Sequence, residues 1–204
     1  LVSILPENDA FHNYSSQIKF MTKMIANGQT GNKNEKGFYK QIGDERQVID
    51  LSNGSYGPHE RLKTPLLEEA EKIGISFIIK NTSPYGLYVW DVISETLCYA
   101  ASLVPEVTDD LTQIDDAMKL GYNWVQGPFE LLDEIGIEYF VDRLQADGRD
   151  VPEFLLKGIN NKFYINSKSG LSSLSPSGNL KPIIRPDGVL RFSEVRQTLK
   201  AINS

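Results

Sequence analysis

Residues Gly121 to Gly136 read GYNWVQGPFELLDEIG, and the chain enters them through Ile114-Asp115-Asp116-Ala117-Met118-Lys119-Leu120. Two helices are legible here. Thr108 can cap the first, with Asp109 and Asp110 in its first turn facing the positive end of the dipole. Leu111, Ile114, Ala117 and Met118 give its inner face, and Gly121 ends it. The second starts at Gly127-Pro128, with proline near the first helical position, where its missing N–H costs nothing. It buries Phe129, Leu132 and Ile135, and Gly136 terminates it. Glycine at 127 permits close backbone approach, and Phe129 anchors the helix in a core. Gly121, Gly127, Pro128, Phe129, Asp133 and Gly136 therefore read as a structural motif.

Working outward, Ser83 and Pro84 open a central helix that Pro105 stops. Leu87, Trp90, Ile93, Leu97, Ala101 and Val104 form one stripe, and Tyr85, Val89, Val92, Tyr99 and Leu103 fill much of the rest. A helix apolar on most sides is expected to be buried on most sides. Asp91 and Glu95, like charges one turn apart, read as a narrow solvent stripe, with a polar contact to another domain as the alternative. Further helices are expected over Ile137–Gln145, from Val151-Pro152 to about Lys157, and over Leu66–Lys72. Phe11, Tyr14, Ile18, Met21 and Ile25 mark a first helix, capped by Asn8 or Asp9 and ended by Gly28. Phe192, Val195, Leu199 and Ile202 mark a last one from Ser193. Gln41 to Pro65 lacks helical period and holds turn signals at Asn53-Gly54 and Gly57-Pro58, with Val48 to Leu51 a short extended piece. Ser-rich Asn166 to Asn179 reads as a linker or exposed loop. The expected fold is all-α, a bundle of about seven or eight helices with little or no strand.

Composition adds bounds. The 204 residues, 40% hydrophobic and 24% charged, suit one or two ordinary globular domains. A net charge of -6 argues against a nucleic-acid partner and gives no reason to sit on an anionic membrane. The longest apolar region, Pro84 to Val104, is broken by Asp91 and Glu95 and reads as a buried helix, not a transmembrane segment. Cys98 is the sole cysteine, so no internal disulfide forms, which fits a cytoplasmic location; no signal peptide is read. The chain opens on Leu1 just ahead of a helix, so a piece of a longer protein is expected. Lys36-Gly37-Phe38-Tyr39 is echoed by Asn161-Lys162-Phe163-Tyr164, each after a helix and a Gly/Asn-containing loop. The echo suggests two related helical units, the first without its front half. The expected division is residues 1–40 as the end of a first unit, 41–74 as a linker with a short helix, 75–165 as a complete second unit, and 166–204 as a Ser-rich linker with a tail helix.

The Asp115 to Gly136 stretch resembles the carboxy-terminal helical domain of the 3-hydroxyacyl-CoA dehydrogenases, whose members read close to D-x-A-M-K-x-G-x-x-x-x-x-G-P-F-E-L-x-D-x-x-G. Asp115 or Asp116, Ala117, Met118, Lys119, Gly121, Gly127, Pro128, Phe129, Glu130, Leu131, Asp133 and Gly136 fall on that pattern. Gly31 to Tyr39 is similar to the family's G-x-K-x-G-K-G-F-Y segment, with Glu35 where the pattern has glycine, a change expected to alter the loop. Asn81-Thr82-Ser83-Pro84, Trp90, Tyr99-Ala100-Ala101, Pro105-Glu106 and Trp124 resemble the second helical repeat of multifunctional fatty-acid oxidation proteins. Val189 to Asn203 resembles the approach to their enoyl-CoA hydratase domain. The resemblance implies oxidation of 3-hydroxyacyl-CoA to 3-ketoacyl-CoA with NAD in β-oxidation. In that family a histidine–glutamate base and the NAD site lie in a nucleotide-binding domain, and a substrate-binding asparagine opens the first helical unit. Neither region is matched here, and no G-x-G-x-x-G follows a strand, so no catalytic or cofactor-binding residue is assigned and the chain alone is expected to be inactive. The implied partners are acyl-CoA, the nucleotide-binding and hydratase domains of the same chain, and the other repeat as a pseudo-dimer, with a homodimer as the other arrangement. Asn81 falls near the substrate-binding asparagine as a candidate substrate contact, but Thr82 and Ser83 follow in place of arginine; a turn residue before the N-cap is the simpler account.

The remaining candidates are weaker. His12 and His59, the only histidines, lack a readable carboxylate partner, and with one cysteine they cannot build a His/Cys metal cluster. Lys181, Arg185, Arg191, Arg196 and Lys200 would attract the phosphates of CoA, but a solvated helix face is the plainer reading. A non-catalytic helical interaction scaffold is the alternative function.

Overall fold

The computed structural model describes residues 4–7, 9, 12, 19–60, 62–158, 160, 162–167, 170–184 and 187–189. The helix expected from Ser193, and Phe11, Tyr14 and Ile18 of the first expected helix, lie outside them. The chain forms two compact units, residues 1–64 and 65–204.

The first unit holds α1 (Lys19–Ala26), a short 3-10 helix (Asn32–Asn34), β1 (Tyr39–Ile42), β2 (Glu45–Ile49) and β3 (Tyr56–Pro58). The strands make an antiparallel sheet in the order β1-β2-β3, with Tyr39 opposite Val48 and Ile49 opposite Tyr56. On α1 the buried residue is Met24, while Met21 and Ile25, expected on the inner stripe, are exposed.

The second unit holds α2 (Pro65–Ile73), α3 (Ile75–Ile79), α4 (Pro84–Ser102), α5 (Leu111–Tyr122), α6 (Pro128–Ile135), α7 (Ile137–Ala146) and α8 (Glu153–Gly158). A second antiparallel sheet follows, β4 (Tyr164–Ser167), β5 (Gly170–Leu174) and β6 (Leu180–Pro182). Local chemistry sets the helix ends. Ser83 Oγ accepts the Gly86 N–H at 3.3 Å, with Pro84 in the first turn of α4. Asp110, not Thr108, caps α5: its Oδ1 accepts the Thr112 N–H at 3.0 Å. α5 runs past Gly121 and closes on Asn123, whose left-handed backbone (φ 57) returns its N–H to the Met118 carbonyl. Gly136, at φ 95, turns the chain between α6 and α7 with no other residue between them, a conformation that favours glycine.

The core gathers Trp90, Leu97 and Ala101 of α4, Phe129, Leu132 and Ile135 of α6, and Phe140 and Leu144 of α7. Leu155, Phe163 and Leu174 join them from α8 and the second sheet. α4 is not buried on most sides. Gly86, Trp90, Ser94, Leu97 and Ala101 face the core, while Tyr85, Tyr88 and Val92 form an exposed apolar face opposite.

The all-α expectation is overturned by the two three-stranded sheets. The strands are three to five residues long and mostly wet: Tyr-Lys-Gln-Ile shows no buried position, and Glu-Arg-Gln-Val-Ile buries only Ile49. Such segments lack the apolar alternation that marks a strand. Of the two turn signals read in the linker, Asn53-Gly54 lies in the turn between β2 and β3, where the Asp50 N–H reaches the Ser55 carbonyl at 2.8 Å, whereas Gly57-Pro58 lies inside β3, paired with Val48 and Gln47. Gly43 (φ 59) and Asp44 join β1 to β2. The Ser-rich stretch after Tyr164 supplies β4 and β5, where Ser173 and Leu174 are buried.

At the mouth of the first sheet, Glu35 sits in the left-handed region (φ 61, ψ -4) that glycine adopts freely. Glu35→Gly is therefore expected to stabilise the first unit by about 1 kcal/mol, read from urea titration of its NMR signals. A loss of stability would contradict the strain assigned to this residue.

Candidate functional site

Asp115 lies on α5 and is 0% exposed. Its Oδ1 accepts the Phe129 N–H at 2.9 Å, and its Oδ2 accepts the Glu130 N–H at 3.1 Å and the Tyr164 hydroxyl at 2.9 Å. These backbone donors belong to the first turn of α6, which have no partner within their own helix. Gly127 at the N-cap has no side chain to serve them, so the neighbouring helix does. A Cβ on Gly127 would stand 2.2 Å from the Cβ and Cγ of Asp115, so the aspartate fills the space that a side chain would need. Glu130 completes the cap, with Oε2 accepting the Gly127 N–H at 2.8 Å and Oε1 meeting Lys119 Nζ at 2.6 Å. One turn on, Asp133 accepts the Phe163 N–H at 2.8 Å and the Tyr164 N–H at 2.9 Å, one on each oxygen. Phe129 is buried between these anchors, 5.1 Å from the Phe163 ring and 5.7 Å from Phe154.

Burial pushes the Asp115 carboxyl up from 3.8 to about 7, against the downward pull of the Phe129 N–H and the Tyr164 hydroxyl. Burial raises Asp133 as well. Tyr164 is held far above the usual phenol range by burial and the adjacent Asp115 charge, so it acts as a donor.

The structure thus brings Gly127, Pro128, Phe129 and Asp133 into one network with Asp115, Lys119, Glu130 and Tyr164. Asp115 and Asp116 are separated in role: Asp116 is 3.5 Å from Lys119 Nζ. Ala117 and Gly121 are exposed, and Gly136 stands between two helices. Asn81 is elsewhere, its Oδ1 accepting the Ser83 N–H at 2.8 Å in a turn that leads into α4. His12 Nε2 is 2.8 Å from the Pro6 carbonyl, and His59 stands edge-on to Tyr39. Asp91 is exposed, while Glu95 pairs with Arg149, which also donates to Ser94 Oγ. Lys181 lies 4.0 Å from Asp109, and Arg185, Arg191, Arg196 and Lys200 are outside the described residues. A cavity of about 190 Å³ in the first unit, lined by Lys23, Asn27, Ser52 and Asn53 among others, is smaller than most ligand pockets. Among the described residues no group of three His, Cys, Asp or Glu side chains is placed for a metal ion, and no helix is long and apolar enough to cross a membrane.

Sequence reasoning missed the role of Asp115. The signal was a glycine N-cap three residues before Glu130, half of a capping box whose other half had to come from elsewhere.

Asp115→Ala strands the Phe129 and Glu130 N–H groups and is expected to cost on the order of 3 kcal/mol. Gly127→Ser should cost a similar amount or more, although serine is a good cap, because its Cβ would stand 2.2 Å from the Asp115 Cβ and 2.5 Å from its Cα and the two helices would have to part. An unchanged urea midpoint in Gly127→Ser would refute this close approach. The pH dependence has a definite sign. Asp115 is raised from 3.8 to about 7 in the fold, so its protonation favours folding, and stability falls as pH rises between those values. Asp133 acts in the same direction. Asp115→Asn should flatten the fall in urea midpoint between about pH 4 and 7; an unchanged slope would exclude this carboxyl as its source.

A probable 3-hydroxyacyl-CoA dehydrogenase of Bacillus subtilis (strain 168) is 37% identical over 155 residues, 72% of this chain and 20% of that protein. Putative fatty acid oxidation complex trifunctional enzymes of Rickettsia prowazekii (strain Madrid E) and Rickettsia felis (strain ATCC VR-1525 / URRWXCal2) are 37% and 38% identical over 141 residues, 65% of this chain and 18% of each protein. No protein-family model and no solved structure matches the chain. The chain spans about a fifth of the length of the curated relatives it matches. The likeness read from the residues therefore stands: this chain is homologous to a segment of proteins named 3-hydroxyacyl-CoA dehydrogenase and fatty acid oxidation trifunctional enzyme.

Proposed function

We propose that this chain is the part of an NAD-dependent 3-hydroxyacyl-CoA dehydrogenase that completes the acyl-CoA cleft and packs two repeats together. The full-length protein acts in cytoplasmic fatty-acid β-oxidation, converts 3-hydroxyacyl-CoA to 3-ketoacyl-CoA, and also carries an enoyl-CoA hydratase domain. The observation that carries this reading is the 37% identity over 155 residues to a protein named for that dehydrogenase activity. The geometry supports a non-catalytic share for this segment, since its most diagnostic residues are engaged in joining α5, α6 and β4. The described residues do not fit a dinucleotide. Both sheets are antiparallel, and a dinucleotide cradle needs parallel strands with a glycine-rich turn into a helix. No hydride-transfer step is therefore routed through them.

The test is acetoacetyl-CoA-dependent NADH oxidation by the 204-residue chain and by the full-length protein. Turnover is expected only in the full-length protein. Turnover by the chain alone, or by neither, would overturn the assignment. If this unit touches substrate it does so at Asn81, and Asn81→Ala in the full-length protein separates the two roles. The expected result is a lowered unfolding midpoint with KM unchanged, as a turn residue gives. A KM raised about tenfold, one hydrogen bond's worth, would bring Asn81 into the cleft.

A further inference from the structure

α4 sends one side into the core and leaves the other in solvent. Tyr88 is 69% exposed, Val92 47% and Tyr85 38%, and the half-buried Tyr99 and Leu103 continue the row. Spacings of three, four, seven and four residues keep these five on one face of a helix. The helix has no lysine or arginine, and its two acids, Asp91 and Glu95, stand one turn apart along an edge of that face. Asp91 is exposed, and Glu95 pairs with Arg149. An apolar row with an acidic edge is complementary to an apolar row with a basic one.

One segment of this chain has that composition. The helix expected from Ser193 lies outside the described residues, and its stripe of Phe192, Val195, Leu199 and Ile202 repeats the three-and-four spacing of Tyr85, Tyr88 and Val92. Arg191, Arg196 and Lys200 accompany it against a single acid, Glu194. The last strand brings the segment within reach. The Ile183 N–H is tied to the Leu171 carbonyl at 2.9 Å, and Lys181 Nζ lies 4.0 Å from Asp109, just beyond the carboxy-terminal end of α4. Residues 184 to 192 can span about 30 Å, and the 19 residues of α4 are about 28 Å long. The segment therefore reaches any part of the exposed row. A short tether also holds it at a high effective concentration, so a weak contact is enough to populate the docked state.

We propose that residues 191–202 fold back as a helix on the outer face of α4. Phe192, Val195, Leu199 and Ile202 cover Tyr85, Tyr88, Val92 and Tyr99, and Arg196 and Lys200 lie beside Asp91 and Glu95. The contact forms within one chain and is independent of the dehydrogenase reading.

Thiol accessibility tests it on the 204-residue chain. Cys98→Ser removes the one native thiol, and Val92→Cys places a new one of similar size at the centre of the row. A maleimide should label position 92 about tenfold more slowly in this chain than after Leu199→Asp is added. Lys200→Glu, which keeps the apolar stripe, should raise the rate about threefold at low salt and less at high salt. Where Leu199→Asp also lowers the urea midpoint, Lys200→Glu alone decides. Labelling that neither change accelerates overturns the proposal. If that labelling is slow and light scattering gives a dimeric mass, the face belongs to a second copy instead.

Discussion

The rest of the second unit depends on a carboxylate buried at the start of a helix it does not belong to. Removing an ionised aspartate from water costs several kcal/mol unless its oxygens are fully bonded. Two backbone donors at the positive end of α6 and a tyrosine hydroxyl offset part of that cost for Asp115, whose carboxyl burial still pushes up to about 7. The same bonds fix where α6 begins, and so which way Phe129 points. With Phe129 seated, Asp133 falls one turn further along the same helix and takes the first backbone donors of the second sheet. Helix start, core anchor and strand entry are three consequences of one placement.

This arrangement explains the residue spacing. Each aspartate takes two successive backbone N–H groups, Phe129 and Glu130 in one case, Phe163 and Tyr164 in the other. Such a clamp demands a carboxylate at each site, a glycine where the first clamp presses on the backbone, and a glutamate that closes the cap from the other side. A dense motif of charged and small residues looks like chemistry, yet here its acceptors face backbone donors inside the protein. The stretch from Asp115 to Gly136 is a signature of fold. That fits a chain similar to only about a fifth of its curated relatives.

The helices of the second unit were legible because their ends carry strong local chemistry. Ser83-Pro84, Gly127-Pro128 and Gly136 mark boundaries that tertiary packing did not move. The one-turn details were less legible: Thr108 and Asp110 are both good caps, and only the path of the chain chooses between them. Asp115 was hidden because a charged residue four positions after Leu111 is ordinarily placed outside a core. The strands were hidden by composition. Serine, lysine and glutamine on short, half-wet strands give no alternation to read, although Gly43-Asp44 between Tyr-Lys-Gln-Ile and Glu-Arg-Gln-Val-Ile was a hairpin signal in plain form.

The all-α expectation failed on the strands, but their energetics explain why helical patterning dominated the sequence. A sheet of four-, five- and three-residue strands holds its register through backbone bonds and buries almost nothing of its own. What fixes the second sheet is Phe163 and Leu174 entering a core that the helices made, with Asp133 holding the strand at its first residue. The first sheet repeats the register with Phe38 and Tyr39 left in solvent. Register therefore follows from the strands and turns themselves, whereas burial follows from the helix pair that receives them. The second sheet closes the helical unit whose core it enters, and its strands are polar because few of their residues reach that core.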